Sequence, residues 1–165
     1  MLAFTLDELA AFPARLERTF RAIPSTHWNW KPPSWAGVPS EELMALEQLC
    51  HVRDIEIDGY QVRFRRLLES ESPQLESLDG YVLARERRYS EANPDTVLEA
   101  IRSARQRTLE SLRRLSTGEL ARSGRFEDQP VTVEGLIHLL CSHDQQHLAG
   151  LQWLLARMSS ASPIR

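Results

Sequence analysis

An all-α fold, a four-helix bundle, is what this chain of 165 residues predicts. Three observations carry that expectation. Four stretches repeat apolar residues at three- and four-residue steps, each stretch is bounded by helix start or stop residues, and no segment sustains the alternation of a strand. Amphipathic helices in one small domain bury their seams around a shared core, and seams repeating at about 3.5 residues suit the shallow crossings of a bundle. The expectation is a single domain over residues 1–165, with four antiparallel helices, connections near 24–39, 71–93 and 119–131, and no sheet of consequence.

The first helix is expected to begin at Thr5-Leu6-Asp7-Glu8, which reads as a capping box. Leu6, Leu9, Leu16, Phe20 and Ile23 form its seam, and Pro13 predicts a kink or a restart. His27 through Gly37 holds Trp28, Trp30 and Trp35 among prolines, a loop expected to cover one end of the core. Ser40 is the expected cap of a second helix reaching about Ser70. On a wheel of about 100° per residue, its buried face holds Leu43, Leu46, Cys50, Ile57, Tyr60, Phe64 and Leu67. Residues 71–93 read mainly as loop with a short turn of helix. Asn93-Pro94 opens the third helix, whose seam is Val97, Ile101, Ala104, Thr108, Leu112 and Leu115, and Gly118 is expected to end it. Thr132 caps the fourth, which runs to about Met158 ahead of a polar tail from Ser159 to Arg165.

Composition narrows the function classes. Hydrophobic residues are 42% and charged residues 26%, ordinary for a globular protein and unlike a disordered chain. A net charge of −3 argues against a dedicated nucleic-acid binder. No long apolar run suggests a membrane span, no signal peptide is evident, and the two cysteines, Cys50 and Cys141, read as buried free thiols. A cytoplasmic address and a small-molecule substrate are the resulting expectations. The arginine clusters Arg63-Arg65-Arg66 and Arg85-Arg87-Arg88 are interleaved with Glu69, Glu71, Glu86 and Glu91 and read as solvated surface.

The sharpest chemical feature is His143-Asp144-Gln145-Gln146-His147 on the fourth helix. Residues four apart lie one turn above each other, so both imidazoles can reach one point. Leu136, Leu140, Leu151, Leu154 and Met158 share their arc, and imidazoles in an apolar seam need partners for their nitrogens. A divalent metal is one such partner; a hydrogen bond to a neighbouring helix is the other. His138 lies about 140° away on the wheel and His27 falls in the tryptophan loop, so neither is a good third ligand. His51 shares a stripe with Glu47, Asp54 and Asp58, and periodicity leaves open whether that stripe is exposed or an inward polar pocket. Asp144, within the apolar arc, needs either an imidazole N–H or an arginine from another helix. Cys50 and Cys141 neighbour the histidines in sequence but point elsewhere.

Cys50-His51-Val52-Arg53-Asp54 followed far downstream by Cys141-Ser142-His143-Asp144-Gln145-Gln146-His147-Leu148 resembles the DinB/YfiT-like metalloenzyme superfamily. The Trp/Pro loop before helix two, the arginine-rich third helix and Val131-Thr132-Val133-Glu134-Gly135-Leu136 fit the same family. Members often carry a Trp-Ser pair ahead of the helix-two histidine, whereas Trp35 here is followed by Ala36-Gly37-Val38-Pro39-Ser40. The resemblance implies a four-helix bundle holding one divalent metal through His51, His143 and His147, with the fourth position open. It also implies a thiol-dependent S-transferase or isomerase of the bacillithiol or mycothiol type, and a homodimer, to which the large loop side chains Trp28, Trp30 and Tyr81 add support. Zinc or nickel suits three imidazoles best, and iron and manganese also accept them. Two other functions fit the same residues. One is a hydrolase in which Asp144 activates water, as the acid of H-E-x-x-H does; the other is a metal-binding or stress-response module without turnover.

Overall fold

The computed structural model describes residues 1–161, and the end of the expected polar tail, 162–165, lies outside them. Seven helices are labelled in chain order: α1 (Leu2–Arg21), α2 (Ala45–Asp54), α3 (Gln61–Glu69), α4 (Gly80–Glu86), α5 (Pro94–Leu112), α6 (Thr117–Leu120) and α7 (Val133–Ala161). A π-helical turn, Ile55–Tyr60, joins α2 and α3 into one long element. That element, α1, α5 and α7 are the four members of the bundle. None of the described helices is long and apolar enough to cross a membrane.

Two apolar clusters fix the direction of each member. At one end lie Phe12, Leu16 and Phe20 of α1, Leu46 and Leu49 of α2, Val97 and Ile101 of α5, and Leu151 and Leu154 of α7. At the other lie Leu9 of α1, Phe64 and Leu67 of α3, Leu109 and Leu112 of α5, and Leu136 and Leu140 of α7. Helices α1 and α7 therefore run one way, and α2–α3 and α5 the other. Each of α1 and α2 packs against both α5 and α7, so α1 and α2 stand on a diagonal. The expectation of antiparallel neighbours is corrected: α1 lies parallel to α7, and α2–α3 parallel to α5. This explains the long connections. Two of them cross a diagonal, and the segment between α3 and α5 must return along the whole bundle.

Sequence boundaries shift for identifiable reasons. Helix α1 starts at Leu2 rather than at a Thr5 cap, and Thr5 is a buried residue whose hydroxyl lies 3.0 Å from His138 Nδ1. Pro13 neither kinks out nor restarts the helix, which runs unbroken and buries the ring. Proline lacks the N–H that would bond the carbonyl four residues back. That carbonyl, Leu9 O, instead accepts from Arg105 Nη1 at 2.8 Å. Helix α2 begins at Ala45, not after Ser40, because the Glu47 carboxylate accepts the Met44 N–H at 2.9 Å. Helix α5 opens on the Asn93 cap as expected but stops at Leu112, short of Gly118. Thr132 Oγ1 accepts from Gly135 N at 3.0 Å and starts α7, which reaches Ala161.

A small sheet was absent from the expectations. Strands β1 (Gln74–Leu75), β2 (Ser123–Phe126) and β3 (Gln129–Thr132) lie in that order, β1 parallel and β3 antiparallel to β2. Strands of two to four residues are too short to show an alternation. The hairpin turn uses Glu127 and Asp128 at φ +51° and +61°, the geometry of a two-residue loop. Trp28, Trp30 and Trp35 pack against the core, and Trp35 stacks on Trp153 with ring centres 6.0 Å apart.

Arg105, 1% exposed, meets all the other members of the bundle. Besides Leu9 O of α1, it donates to Glu56 Oε1 in the π turn at 2.9 Å and to Asp144 Oδ2 of α7 at 2.7 Å. Arg105→Ala should cost about 3–5 kcal/mol, because it strands two buried carboxylates. Urea unfolding followed by circular dichroism should show a lower midpoint with an unchanged slope.

Candidate metal centre

The site forms where α2 and α7 pass each other. His51 of α2 is 2% exposed and His147 of α7 is fully buried, so the stripe holding His51 is the inward pocket rather than a surface. His143 Nε2 lies 3.2 Å from His51 Nε2 and 3.2 Å from His147 Nε2. Donor nitrogens on a tetrahedron with arms of about 2.0–2.1 Å stand about 3.3–3.4 Å apart. The observed spacing fits three ligands of one ion.

A fourth group completes the cluster. Glu41, on the irregular segment before α2, places Oε2 3.2 Å from His147 Nε2 and Oε1 3.5 Å from His51 Nε2. All four potential ligand atoms lie within 4.8 Å of one another. The fourth position, expected to be open, is faced by a carboxylate that the sequence reading did not include. Glu41 bears no periodic signal; only its place just ahead of a helix start, next to Glu42, marks it in the sequence.

The electrostatics favour a cation at the centre. His147 Nδ1 lies 3.2 Å from Gln48 Oε1, a carbonyl that can only accept, so the proton sits on Nδ1 and the Nε2 lone pair faces inward. Lone pairs and a carboxylate turned toward one another repel unless a proton or metal ion lies between them. Glu41 Oε2 has no hydrogen-bond partner here. When the His147 ring is protonated, its hydrogen bond and charge hold the Glu41 carboxyl at about 2, against burial, and a cation in that proton's place would act in the same direction. Burial, with His147 adding, pushes the His51 imidazole down to about 4. The same cause lowers His143 well below its ordinary value.

Helix α4 closes one side. Asp79 caps it through Tyr81 N and Val82 N, and the Tyr81 hydroxyl accepts from Glu42 N at 3.1 Å, tying down the Glu41 segment. Gly80 lies so near His51 that a Cβ there would stand 2.6 Å from the ring. The connection is held by Asp54, which receives Tyr89 Oη at 2.7 Å, Arg53 Nε at 2.6 Å and Arg87 Nη1 at 2.8 Å. Burial works against the Asp54 charge, but those bonds outweigh it and keep its carboxyl low. Arg87 is therefore not mere solvated surface.

The other sequence candidates stay outside. His138 is 39% exposed at its side chain and His27 is exposed. Cys50 and Cys141 are free thiols, and neither joins the cluster. Asp144 turns to α5, where Arg105 takes both its oxygens at 2.7 and 3.1 Å; of its two expected partners, the arginine is the one realised. Burial pushes the Asp144 carboxyl above its ordinary value, with Glu56 assisting and the Arg105 ion pair opposing.

The comparisons agree with this fold. The DinB superfamily profile matches residues 8–151. The chain belongs to the DinB superfamily. YfiT of Bacillus subtilis, described as a probable metal-dependent hydrolase with an unusual four-helix bundle topology, has a similar structure. The TM-score is 0.83 at 21% identity, over 96% of this chain and 87% of that one, a likeness of fold. No curated protein matches the chain.

His147→Ala should abolish stoichiometric binding of zinc or nickel in calorimetric titration, whereas His138→Ala should leave it intact. Gly80→Ala should weaken it although no ligand is removed, because the new methyl group must displace the His51 ring.

The metal-free protein should also lose stability in acid. The His51 value of about 4 lies below the ordinary 6.5, so the unfolded chain takes up the proton first. Its contribution is complete above pH 6.5 and declines as pH falls toward 4. Urea midpoints measured across that window should fall less steeply in His51→Gln.

Proposed function

We propose that the protein is a metal-dependent enzyme in which His51, His143 and His147 hold one divalent ion and Glu41 takes the proton of a small nucleophile. The observation that carries this reading is the convergence of three ring nitrogens, at 3.2 Å steps, beside an ionised carboxylate. A divalent ion in that position supplies Lewis-acid chemistry, drawing down the pKa of a water or thiol brought to it. The chain's own residues do the rest. Gln48 fixes the His147 tautomer and Gly80 allows α4 to seat His51. Glu41 sits on an irregular segment with its side chain 34% exposed, so it can swing to accept a proton without breaking a helix. Asp144 remains with Arg105 and plays no acid–base part.

The nucleophile that the family resemblance favours is a low-molecular-weight thiol of the bacillithiol or mycothiol kind, which makes the protein an S-transferase or isomerase. Hydrolysis is the second reading. Glu41 would serve a water as well as a thiol, and YfiT is described as a probable hydrolase.

Protein loaded with one equivalent of zinc or nickel, given an electrophilic substrate, should form the thioether only when the thiol is added. Glu41→Gln should lower kcat by about 10²-fold or more while metal stoichiometry holds, since three imidazoles remain. A hydrolysis product formed equally without thiol would decide for the second reading. Bound metal with neither product would leave a metal-binding module.

A further inference from the structure

The geometry points to Arg63 as the anchor for a carboxylate on the substrate, which makes that substrate a small organic acid. This deepens the reading above, since it takes the three-histidine cluster as the reactive end of the same cleft.

Arg63 belongs to α3 and is 4% exposed, contrary to the solvated surface that its neighbours in sequence suggested. Its Nε donates to Glu76 O at 2.9 Å. The guanidinium is held between two rings, 5.1 Å from the centre of Tyr60 and 4.5 Å from that of Phe126. Against it lies Gly59, where a Cβ would come within 3.1 Å of Nη1. Among the described residues no carboxylate lies within ion-pair distance, and its other N–H groups have no protein acceptor. Glu127 is near enough to be felt, yet its Oε1 accepts from Ser77 Oγ instead. A guanidinium carries five N–H donors in a rigid fork, and burying its charge without a counter-charge costs free energy. Burial does lower the Arg63 pKa.

Arg63, Tyr60 and Phe126 line one cleft of ≈ 200 Å³ together with Glu41, His51 and His143. Tyr60 stands between the two ends, its ring centre 6.0 Å from that of His143 and 5.1 Å from the guanidinium carbon, which therefore lies no more than 11.1 Å from the His143 ring. A carboxylate-bearing molecule of a few carbon atoms spans that gap. With Nε already bonded, the outer edge of the fork remains for a two-point grip on a carboxylate. Glu41 repels an anion at the histidine end, so the carboxylate is directed to Arg63 and the opposite end of the molecule to the ring nitrogens. The flanking rings keep the guanidinium from following a misplaced ligand.

Titration of wild-type protein with butyrate, a four-carbon monocarboxylate, and with butyramide, its uncharged analogue, tests the assignment. Each titration is run metal-free and zinc-loaded, with heat and tryptophan fluorescence as readouts. Butyrate should bind in both states and butyramide at least about ten-fold more weakly. Arg63→Gln should lose at least about ten-fold in butyrate affinity, and Arg63→Lys, which keeps the charge but not the fork, should fall between. Zinc stoichiometry should be unchanged in both variants. Equal binding of butyrate and butyramide would overturn the proposal even if Arg63→Gln failed to fold. So would butyrate binding that appears only with zinc and survives Arg63→Gln, which would place the carboxylate on the ion. Failure of wild type to bind zinc with Arg63-dependent butyrate binding retained would remove the metal reading and keep this one.

Discussion

The bundle is organised around one buried guanidinium. Arg105 rises from α5 and touches Leu9 O of α1, Glu56 of the π turn and Asp144 of α7, so one side chain joins all four members. Burial alone would lower its pKa, but the charges of Asp144 and Glu56 reverse that and hold it raised. Such a network adds little net stability over an apolar core, yet it penalises every alternative arrangement, because a slip of any helix strands a charge. Pro13 belongs to the same device. By withholding an N–H it leaves Leu9 O free, and the guanidinium fills the gap. A helix-breaking residue and a buried cation, each unfavourable alone, satisfy one another.

The metal centre inherits its precision from that network. Asp144 is the residue after His143, so tying its carboxylate to α5 fixes the rotation of α7 and turns His143 and His147 toward α2. Glu56 does the same from the other side. Its bonds to Arg105 and to Thr108 Oγ1, at 2.8 Å, hold the π turn immediately after the helix that carries His51. The ligands from both helices are thus aimed by carboxylates that share one guanidinium. None of those carboxylates touches the ligand point, and a change there would act on the site through orientation.

What the sequence could and could not disclose follows from these interactions. Four helices with regular seams were legible, as were the Asn93 and Thr132 caps, because each is a local signal of a few residues. His143 and His147 were legible because a four-residue step on a leucine face admits few readings. Periodicity left His51 open between surface and pocket, and only the family resemblance supplied it; the burial of Glu56 and Arg63 was not legible, since a wheel assumes one period and the π turn at Ile55–Tyr60 breaks it. The wider turn shifts the phase of α3 against α2, so Glu56 is buried and Ile57 only half-buried, the reverse of the wheel. Glu41 and the small sheet were hidden for another reason. Both depend on where long connections return in space, which periodicity does not encode.

Two buried arginines in one small domain show why burial alone does not define a role. Arg105 and Arg63 are 1% and 4% exposed, and both lie over an aromatic ring, Phe12 for the first and Tyr60 and Phe126 for the second. Their pKa values nevertheless move in opposite directions, because two carboxylates neutralise Arg105 and none neutralises Arg63. The first charge is satisfied inside the protein, so it can only hold the fold. The second is held by one hydrogen bond to a backbone carbonyl and by two rings, and its counter-charge has to come from elsewhere. A fold that keeps an unneutralised cation rigid, beside a cleft that reaches the histidines, bears the cost of burying it at the place where a ligand can offset it.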